Sequence, residues 1–328
     1  MMDHIRLSFV IPVYNAGPYL EPCLRSLEEQ GLKEGEYEVV CVDDGSTDGS
    51  WQTLQKWEGR KKNFRALQEK HGGASCARNR GLEVAQGKYV WMVDADDLLV
   101  PRCAPRLLER MEREELDVLT LGVQDYTDET HRGAVSNVAH KLPGVVTGRT
   151  YLLHCEVEMA CWCLLFRREV AVTHGVRLME GITLEDLEFA PHLLMYCRRV
   201  ASESRVCYYY RHNMAGISKR KTPDFYTYRL ACWLKVMDRL QEHERQAGCL
   251  GPVMGDKAYM LLLFLWESDL GMAEKMRYVD LMEQHGVFGL LRNRKMIYKR
   301  RHRLAAAGFR LPWVYRLFLR QPWLRPRH

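Results

Sequence analysis

Short apolar runs alternate with amphipathic stretches along the first half of the chain. Leu7 to Ile11 is a short apolar run, broken only by Ser8, that stops at Pro12. From Tyr19 to Gln30, Leu20, Cys23, Leu24 and Leu27 recur at helical spacing and predict one buried face. Val39 to Val42 is a second run, ending in Asp43-Asp44-Gly45, and Ser50 then predicts the N-cap of a helix through Trp57. Ala74 to Ala85 reads as a third helix, opened by Gly72-Gly73 and closed at Gly87. Tyr89 to Val93 is another run ending at Asp94, Pro101 to Glu115 is helical, and Val118 to Val123 is a strand.

Unbroken apolar strands separated by helices predict an α/β fold, a mostly parallel sheet with helices on both faces. Ligands of such sheets bind beyond the carboxyl ends of the strands. Here those ends carry Pro12-Val13-Tyr14-Asn15, Asp43-Asp44-Gly45-Ser46 and Asp94-Ala95-Asp96-Asp97. After Gly144 the rhythm weakens. Trp162 to Phe166 reads as a strand, with Cys161 and Cys163 at alternate strand positions. Glu185 to Met195 is helical, Val206 to Arg211 is a strand, and helices follow from Pro223 to Glu244, Asp256 to Leu270 and Ala273 to His285. The predicted organisation is an α/β domain over 1–215, a helical extension over 216–290 and a basic tail over 291–328.

Composition narrows this picture. Of 328 residues, 47% are hydrophobic, enough for a large core, and 27% are charged, which excludes global disorder. Eleven cysteines without a CxxC pair point to free thiols in a reducing compartment, not to a disulfide framework or a zinc site. No basic segment with an apolar stretch opens the chain, so a signal peptide is not expected. The longest apolar run, Tyr259 to Trp266, is far short of the ~20 residues of a membrane-spanning helix. The net charge of +6 hides an asymmetry: from Leu291 to His328 there are a dozen Lys and Arg and no Asp or Glu, which leaves the rest mildly acidic.

Four segments carry candidate chemistry. Asp94, Asp96 and Asp97 put three carboxylates within four residues, an arrangement that solvent or a divalent cation must neutralise. A nucleotide diphosphate leaving group requires such a cation as negative charge develops on it. The bland alternative is a solvated turn capping the next helix. Asp43 to Ser50 copies the start of a calcium loop, but Gln55 stands where a bidentate Glu belongs. It reads either as a helix-capping turn or as a turn with a carboxylate for a nucleotide base or ribose. Gly72-Gly73 opens a helix whose N-terminus favours anions, and Arg78, one turn in, can reach a phosphate or lie on the surface. Neither GxGxxG nor a Walker A pattern occurs. Thr183 and Asp186 fit a capping box variant, while Glu185 and Asp186 equally supply a general base.

In this order, Phe9-Val10-Ile11-Pro12-Val13-Tyr14-Asn15, Val42-Asp43-Asp44-Gly45-Ser46-Thr47-Asp48, Gly73-Ala74-Ser75-Cys76-Ala77-Arg78-Asn79-Arg80-Gly81, Val93-Asp94-Ala95-Asp96-Asp97 and Leu184-Glu185-Asp186-Leu187-Glu188-Phe189 resemble the family 2 glycosyltransferases with the GT-A fold. The resemblance covers about residues 5–215. It implies that Pro12, Tyr14 and Asp44 line the base and ribose pocket. It implies that Asp94 and Asp96 form a DxD pair, with Asp96 nearest a Mn²⁺ or Mg²⁺ ion and Asp97 beside it. Asp186, next to Glu185, takes the place of the catalytic base. Arg211 falls near the diphosphate, and His212 is either a second metal ligand or a plain surface histidine. The implied reaction is inverting transfer of a sugar from a nucleotide-diphosphate donor, UDP-linked as the commonest expectation, to a hydroxyl of a glycan or lipid-linked acceptor in cell-surface polysaccharide synthesis. Three other readings use the same residues: a DxD phosphatase, a nucleotidyltransferase, and a non-catalytic nucleotide-sugar or glycan-binding protein.

In the tail, a basic run from Arg292 to Arg303 precedes Phe309, Leu311, Trp313, Val314, Leu317, Phe318, Leu319 and Trp323, interleaved with Arg310, Arg316 and Arg320. Apolar residues beside Arg suit an in-plane segment on an anionic membrane surface. The alternatives are a helix packed on the body and general polyanion binding, with no recognition fold for a specific nucleic acid. The expected location is cytoplasmic, peripheral at the inner face of the cell membrane.

Overall fold

The computed structural model describes residues 5–128, 131–136, 144–155, 160–211, 222–292 and 300–321. Two compact units emerge. One comprises Met1–Gly148, Glu158–Gly181 and Tyr196–Asn213; the other comprises Arg149–Val157, Ile182–Met195 and Met214–His328.

Among the described residues, the first unit is built on a sheet of nine strands: β1 (Leu7–Val13), β2 (Tyr37–Asp43), β3 (Phe64–Gln68), β4 (Tyr89–Met92), β5 (Leu98–Leu99), β6 (Val118–Asp128), β7 (His131–Ser136), β8 (Leu164–Arg167) and β9 (Val200–Arg211). Their order is β3-β2-β1-β4-β8-β6-β9-β5, with β7 paired to β6. β1, β2, β3 and β4 pair in parallel, with Leu7 opposite both Tyr37 and Tyr89. β8 runs antiparallel to both β4 and β6, while β6 and β9 pair in parallel. Every residue of β2 and β4 is buried, as unbroken apolar runs require when helices cover both faces. Those helices are α1 (Gly17–Glu28), α2 (Ser50–Glu58), α3 (Ala74–Val84) and α4 (Ala104–Arg113). The short helix α6 (Arg168–Thr173) follows β8.

Cys161 and Cys163 are not strand residues: they lie in a 3-10 turn, Cys161–Cys163, and β8 begins only at Leu164. The turn carries the Trp162 carbonyl to the buried Trp91 indole, whose N–H donates to it at 3.0 Å. All eleven cysteines are free thiols, and ten of them are buried.

A polar network locks the α3–β4 turn onto the sheet. Glu38, 6% exposed, accepts the Ser8 hydroxyl at 2.6 Å and the Gln86 amide at 2.6 Å, and the Gly87 amide donates to Ser8 Oγ at 2.8 Å. Burial of this carboxylate is offset by these bonds, which fall on its Oε1. A Cβ on Gly87 meets the Ser8 nitrogen at 2.5 Å and the Leu7 carbonyl carbon at 2.7 Å, both backbone atoms. Gly87→Ala is therefore expected to cost roughly 2–3 kcal/mol, the upper range for overpacking, read as a lowered urea midpoint. Wild-type stability would show that the turn relaxes freely.

The second unit is helical: α5 (Gly148–His154), α7 (Asp186–Leu194), α8 (Pro223–Ala247), α9 (Gly251–Glu267), α10 (Met272–Gln284), α11 (Val287–Leu290), α12 (Arg300–Phe309) and α13 (Pro312–Leu319). Local chemistry fixes the ends of α8. The Thr222 hydroxyl accepts the Phe225 amide at 3.3 Å, Pro223 opens the first turn, and Gly248 closes the helix with φ 62°. Arg149 donates to the Ala247 carbonyl at 2.6 Å and completes that end.

The tail packs on this unit through one face. Tyr315 is fully buried and donates to the Leu262 carbonyl, and Arg316 pairs with Asp280 and Glu283 at 2.7 and 2.9 Å. Leu304, Leu311, Trp313 and Leu317 remain exposed. No helix among the described residues is long and apolar enough to cross a membrane.

Candidate active site

Because β1, β2 and β4 run in parallel, their carboxyl ends bring the three polar segments to one edge of the first unit. The first two interlock. The Asn15 amide donates to Ser46 Oγ at 2.9 Å, and Asn15 Oδ1 accepts the Thr47 amide at 2.8 Å. Asp48 accepts the amides of Ser50 and Gly17 at 2.9 and 3.0 Å. Burial pushes the Asp48 carboxyl up, but the hydrogen bonds from Ser50 and Gly17 outweigh it and hold it below the usual carboxylate range. Ser50 is thus not an N-cap. It is the first residue of α2, Gly49 occupies the cap position, and the Ser50 hydroxyl accepts the Ala16 amide at 3.1 Å to tie down the start of α1.

Asp44 is 2% exposed, and its two carboxylate oxygens accept the amides of Gly72 and Gly73 at 2.7 and 2.9 Å. It thereby fixes the turn that opens α3, where Gly73 at φ 94° adopts a backbone that disfavours side chains. His71 Nδ1 lies 2.9 Å from the same carboxylate, and the Tyr14 ring stacks on the His71 imidazole at 4.4 Å. Tyr14 is 47% exposed, a broad aromatic face beside a fixed carboxylate, and Pro12 is half-buried two residues before it. Of the three residues expected at a base and ribose pocket, Tyr14 and Asp44 are joined through His71. A single histidine before Gly-Gly gave no sequence signal of this.

The third segment is braced by residues far away in the chain. Asp94 Oδ1 accepts Arg78 Nη2 at 2.7 Å, so Arg78 reaches the acidic segment directly and is itself only 7% exposed. The Tyr208 hydroxyl donates to Asp97 Oδ2 at 2.6 Å and accepts the Asp94 amide at 3.1 Å. The Arg211 amide donates to Asp97 Oδ1 at 2.7 Å, and its Nε donates to the Asp96 carbonyl at 2.8 Å. The Arg211 guanidinium lies 4.9 Å from the Tyr19 ring and 4.7 Å from the Tyr126 ring. Asp97 is 1% exposed, and each of its oxygens accepts a hydrogen bond that braces the loop. Burial pushes its carboxyl well above the usual range, and the charges of Asp94 and Asp96 add to this. Burial likewise pushes the Tyr208 hydroxyl up, with Asp97 and Asp94 reinforcing it, so Tyr208 stays a donor. Asp94 and Asp96 are the half-buried carboxylates of the segment. Behind them Trp162 stacks on Tyr208 and Tyr210 at 4.6 and 5.3 Å.

Glu185 and Asp186 belong to the second unit. Glu185 is the N-cap residue of α7 and Asp186 its first helical residue. Leu184 just before them has φ 70°, a conformation costly for a branched side chain. The capping box does not form: Glu185 occupies the cap, and the Thr183 hydroxyl is buried without a hydrogen bond. Within this unit Arg229 of α8 feels both carboxylates. Burial pulls its guanidinium below the ordinary arginine value, while Asp186 and Glu185 push it back up. Arg229 carried no motif and was invisible to the sequence reading. His212, expected as either a second metal ligand or a surface histidine, lies outside the described residues.

Comparison with known proteins bears on the family and the fold. Residues 8–173 match the model of the glycosyl transferase family 2. Over 215 residues the chain is 32% identical to the uncharacterized glycosyltransferase YibD of Escherichia coli K12, covering 63% of this chain and 62% of that relative's length. The structure of Staphylococcus aureus TarS 1-349 in complex with UDP superposes with a TM-score of 0.65 at 20% identity, covering 96% of this chain and 91% of that one. A mannosyltransferase of Pyrobaculum calidifontis, in complex with GDP-Man and Mn²⁺, gives 0.56 at 16% identity, covering 96% and 88%. The fold is GT-A, followed by a helical C-terminal region. By its matched family model, which spans half of its length, the chain belongs to the glycosyl transferase family 2.

Proposed function

We propose that the protein is an inverting glycosyltransferase that moves a sugar from a nucleotide-diphosphate donor, UDP-linked, to the hydroxyl of a glycan or lipid-linked acceptor. The observation that carries this reading is the Asp94-Ala95-Asp96-Asp97 loop. It stands at the carboxyl edge of the sheet, braced from β9 by Tyr208 and Arg211 and paired to Arg78. The UDP complex of TarS and the family membership support it.

The donor set suits a divalent cation. Asp94 and Asp96 offer hard oxygens, and the field of three crowded carboxylates, felt by Asp97 as a strong upward push, favours positive charge there. Asp96 and Asp94 would hold Mn²⁺ or Mg²⁺, which would supply positive charge to offset that developing on the diphosphate leaving group. The remaining roles belong to the chain. Tyr14 offers a stacking face to the base, and Asp44 holds the Gly72-Gly73 turn and the ribose side of the pocket. Arg78 and Arg211 keep cationic groups at the acidic loop. Asp186 takes the proton of the acceptor hydroxyl as its oxygen attacks the anomeric carbon, and the bond to the diphosphate oxygen breaks with its electron pair leaving on the nucleotide. At the tail, exposed Trp313, Leu311 and Leu317 next to Arg310 and Arg320 support contact with an anionic membrane surface at the inner face of the cell membrane.

The test is thermal stabilisation by a panel of nucleotide diphosphates, each with Mn²⁺ and with EDTA. Ligand at about 100 times its Kd stabilises the native state by about 2.7 kcal/mol. A rise in Tm for one nucleotide, abolished by EDTA, is expected. No shift with any nucleotide would reject the donor site, and a shift without any transfer to glycan acceptors would favour a binding protein.

A further inference from the structure

Inside the second unit, α7 and α8 bring together three metal-ligating side chains, none of which is given a role above. Glu188, His192 and His243 are 1%, 7% and 3% exposed. Glu188 and His192 are four residues apart and share one face of α7. His243 Nε2 lies 2.6 Å from Glu188 Oε1, and His192 Nδ1 lies 3.2 Å from the same oxygen. The two imidazoles stack at 4.0 Å. All three donor atoms fall within 4.8 Å of one another.

Hydrogen bonding leaves this cluster incomplete. Glu188 Oε2 and His243 Nδ1 are buried without a hydrogen bond. Burial pushes the Glu188 carboxyl up, but His192 and His243 outweigh it and hold it below the usual range, so an anion sits in the interior. Among the described residues, Arg239 also approaches it, with its Nε 3.9 Å from Oε1. Arg239 is half exposed and already bonded to Glu242 at 2.6 Å, so it completes neither oxygen.

We propose that Glu188, His192 and His243 form a binding site for a divalent transition metal, zinc by its ligand chemistry. Two imidazole nitrogens and a carboxylate are a ligand set that zinc takes, and the second oxygen of Glu188 supplies a fourth donor when the carboxylate is bidentate. The metal takes the place of the His243–Glu188 hydrogen bond, and the proton of that bond is released to solvent. The two donors must then part to about 3.3 Å, the edge of a tetrahedron with ~2.0 Å bonds. The site cross-links α7 to α8 and fixes the helix that begins at Asp186. Its depth means that metal enters as the chain folds, so binding free energy becomes folding free energy.

The test uses the full chain expressed with zinc, dialysed against EDTA and analysed for metal. One equivalent is expected in the wild type and in Asp96→Asn, which disables the donor loop, and less than a tenth of that in Glu188→Gln and His243→Gln. Refolding with Co²⁺ gives the visible bands of a tetrahedral nitrogen and oxygen site, without the near-ultraviolet band of thiolate ligation. No retained zinc in the wild type overturns the proposal. So does zinc retained equally in Glu188→Gln, or a thiolate band, which assigns the metal to cysteines. Should the variants fail to fold, the cobalt spectrum of the wild type decides alone.

Discussion

Asp186→Asn is expected to lower sugar transfer by about 10²- to 10⁴-fold, the range for a lost general base, while nucleotide binding stays near the wild-type level. Asn matches Asp in shape but cannot take the acceptor's proton. The variant should fold. Removing a negative charge from the first turn of α7 costs about 0.3–1 kcal/mol, and Arg229 keeps Glu185 as an acidic neighbour. Donor contacts are assigned to Tyr14, Asp44, Asp94 and Asp96, all in the first unit, so the nucleotide-dependent rise in Tm should persist. Initial rates and melting shifts measured on the same preparation separate the two effects. Transfer at the normal rate removes Asp186 from the role of base. If Glu185→Gln causes the larger fall instead, the proton goes to the N-cap residue.

The parts of the fold legible in the sequence were those whose signal is local. β1, β2 and β4 are buried on both faces and so appear as plain apolar runs. β3 went unseen because it is an edge strand in which only Phe64 is buried, and Arg65 and Gln68 interrupt its apolar residues. β5 is two residues long and exists only through pairing Leu98 with Tyr209 and Leu99 with Tyr208. β9 starts at Val200, six residues before the apolar run that marked it, because Ser202, Glu203 and Arg205 are polar yet still part of the strand. α9 also starts early: Gly251, Pro252 and Gly255 look like helix breakers, but a proline in the first turn is compatible with a helix start.

The site divides the same way. Each acidic segment is contiguous and could be read directly. Its braces come from remote positions: Tyr208 reaches Asp97 across 111 residues, and Arg78 reaches Asp94 across 16 from another element. No spacing rule announces such a partner. The hydroxyls of Ser50 and Thr183 show the converse error. Both sit where a cap is expected, but one holds the start of a different helix and the other makes no bond. Local pattern proposes a partner, and packing chooses among those within reach.

Asp96→Ala should abolish the Mn²⁺-dependent part of nucleotide stabilisation, weakening metal-supported donor binding by at least ~10²-fold, since changes even one shell further out cost 10- to 100-fold. The three carboxylates of the loop are not equivalent. Asp97 is buried with both oxygens engaged, and Asp94 shares one oxygen with Arg78. Asp96 is held by its backbone carbonyl through Arg211, so losing its side chain leaves that brace in place. The charge of Asp96 acts against that of the buried Asp97, so its removal relieves repulsion within the loop. The two effects therefore have opposite signs. Without nucleotide and metal, Asp96→Ala should melt at or slightly above the wild-type temperature. With both present, the wild type should rise and the variant should stay where it was. A variant that melts well below the wild type in EDTA would mean that Asp96 supports the fold. One that still shows the full Mn²⁺-dependent shift would place the metal on other ligands.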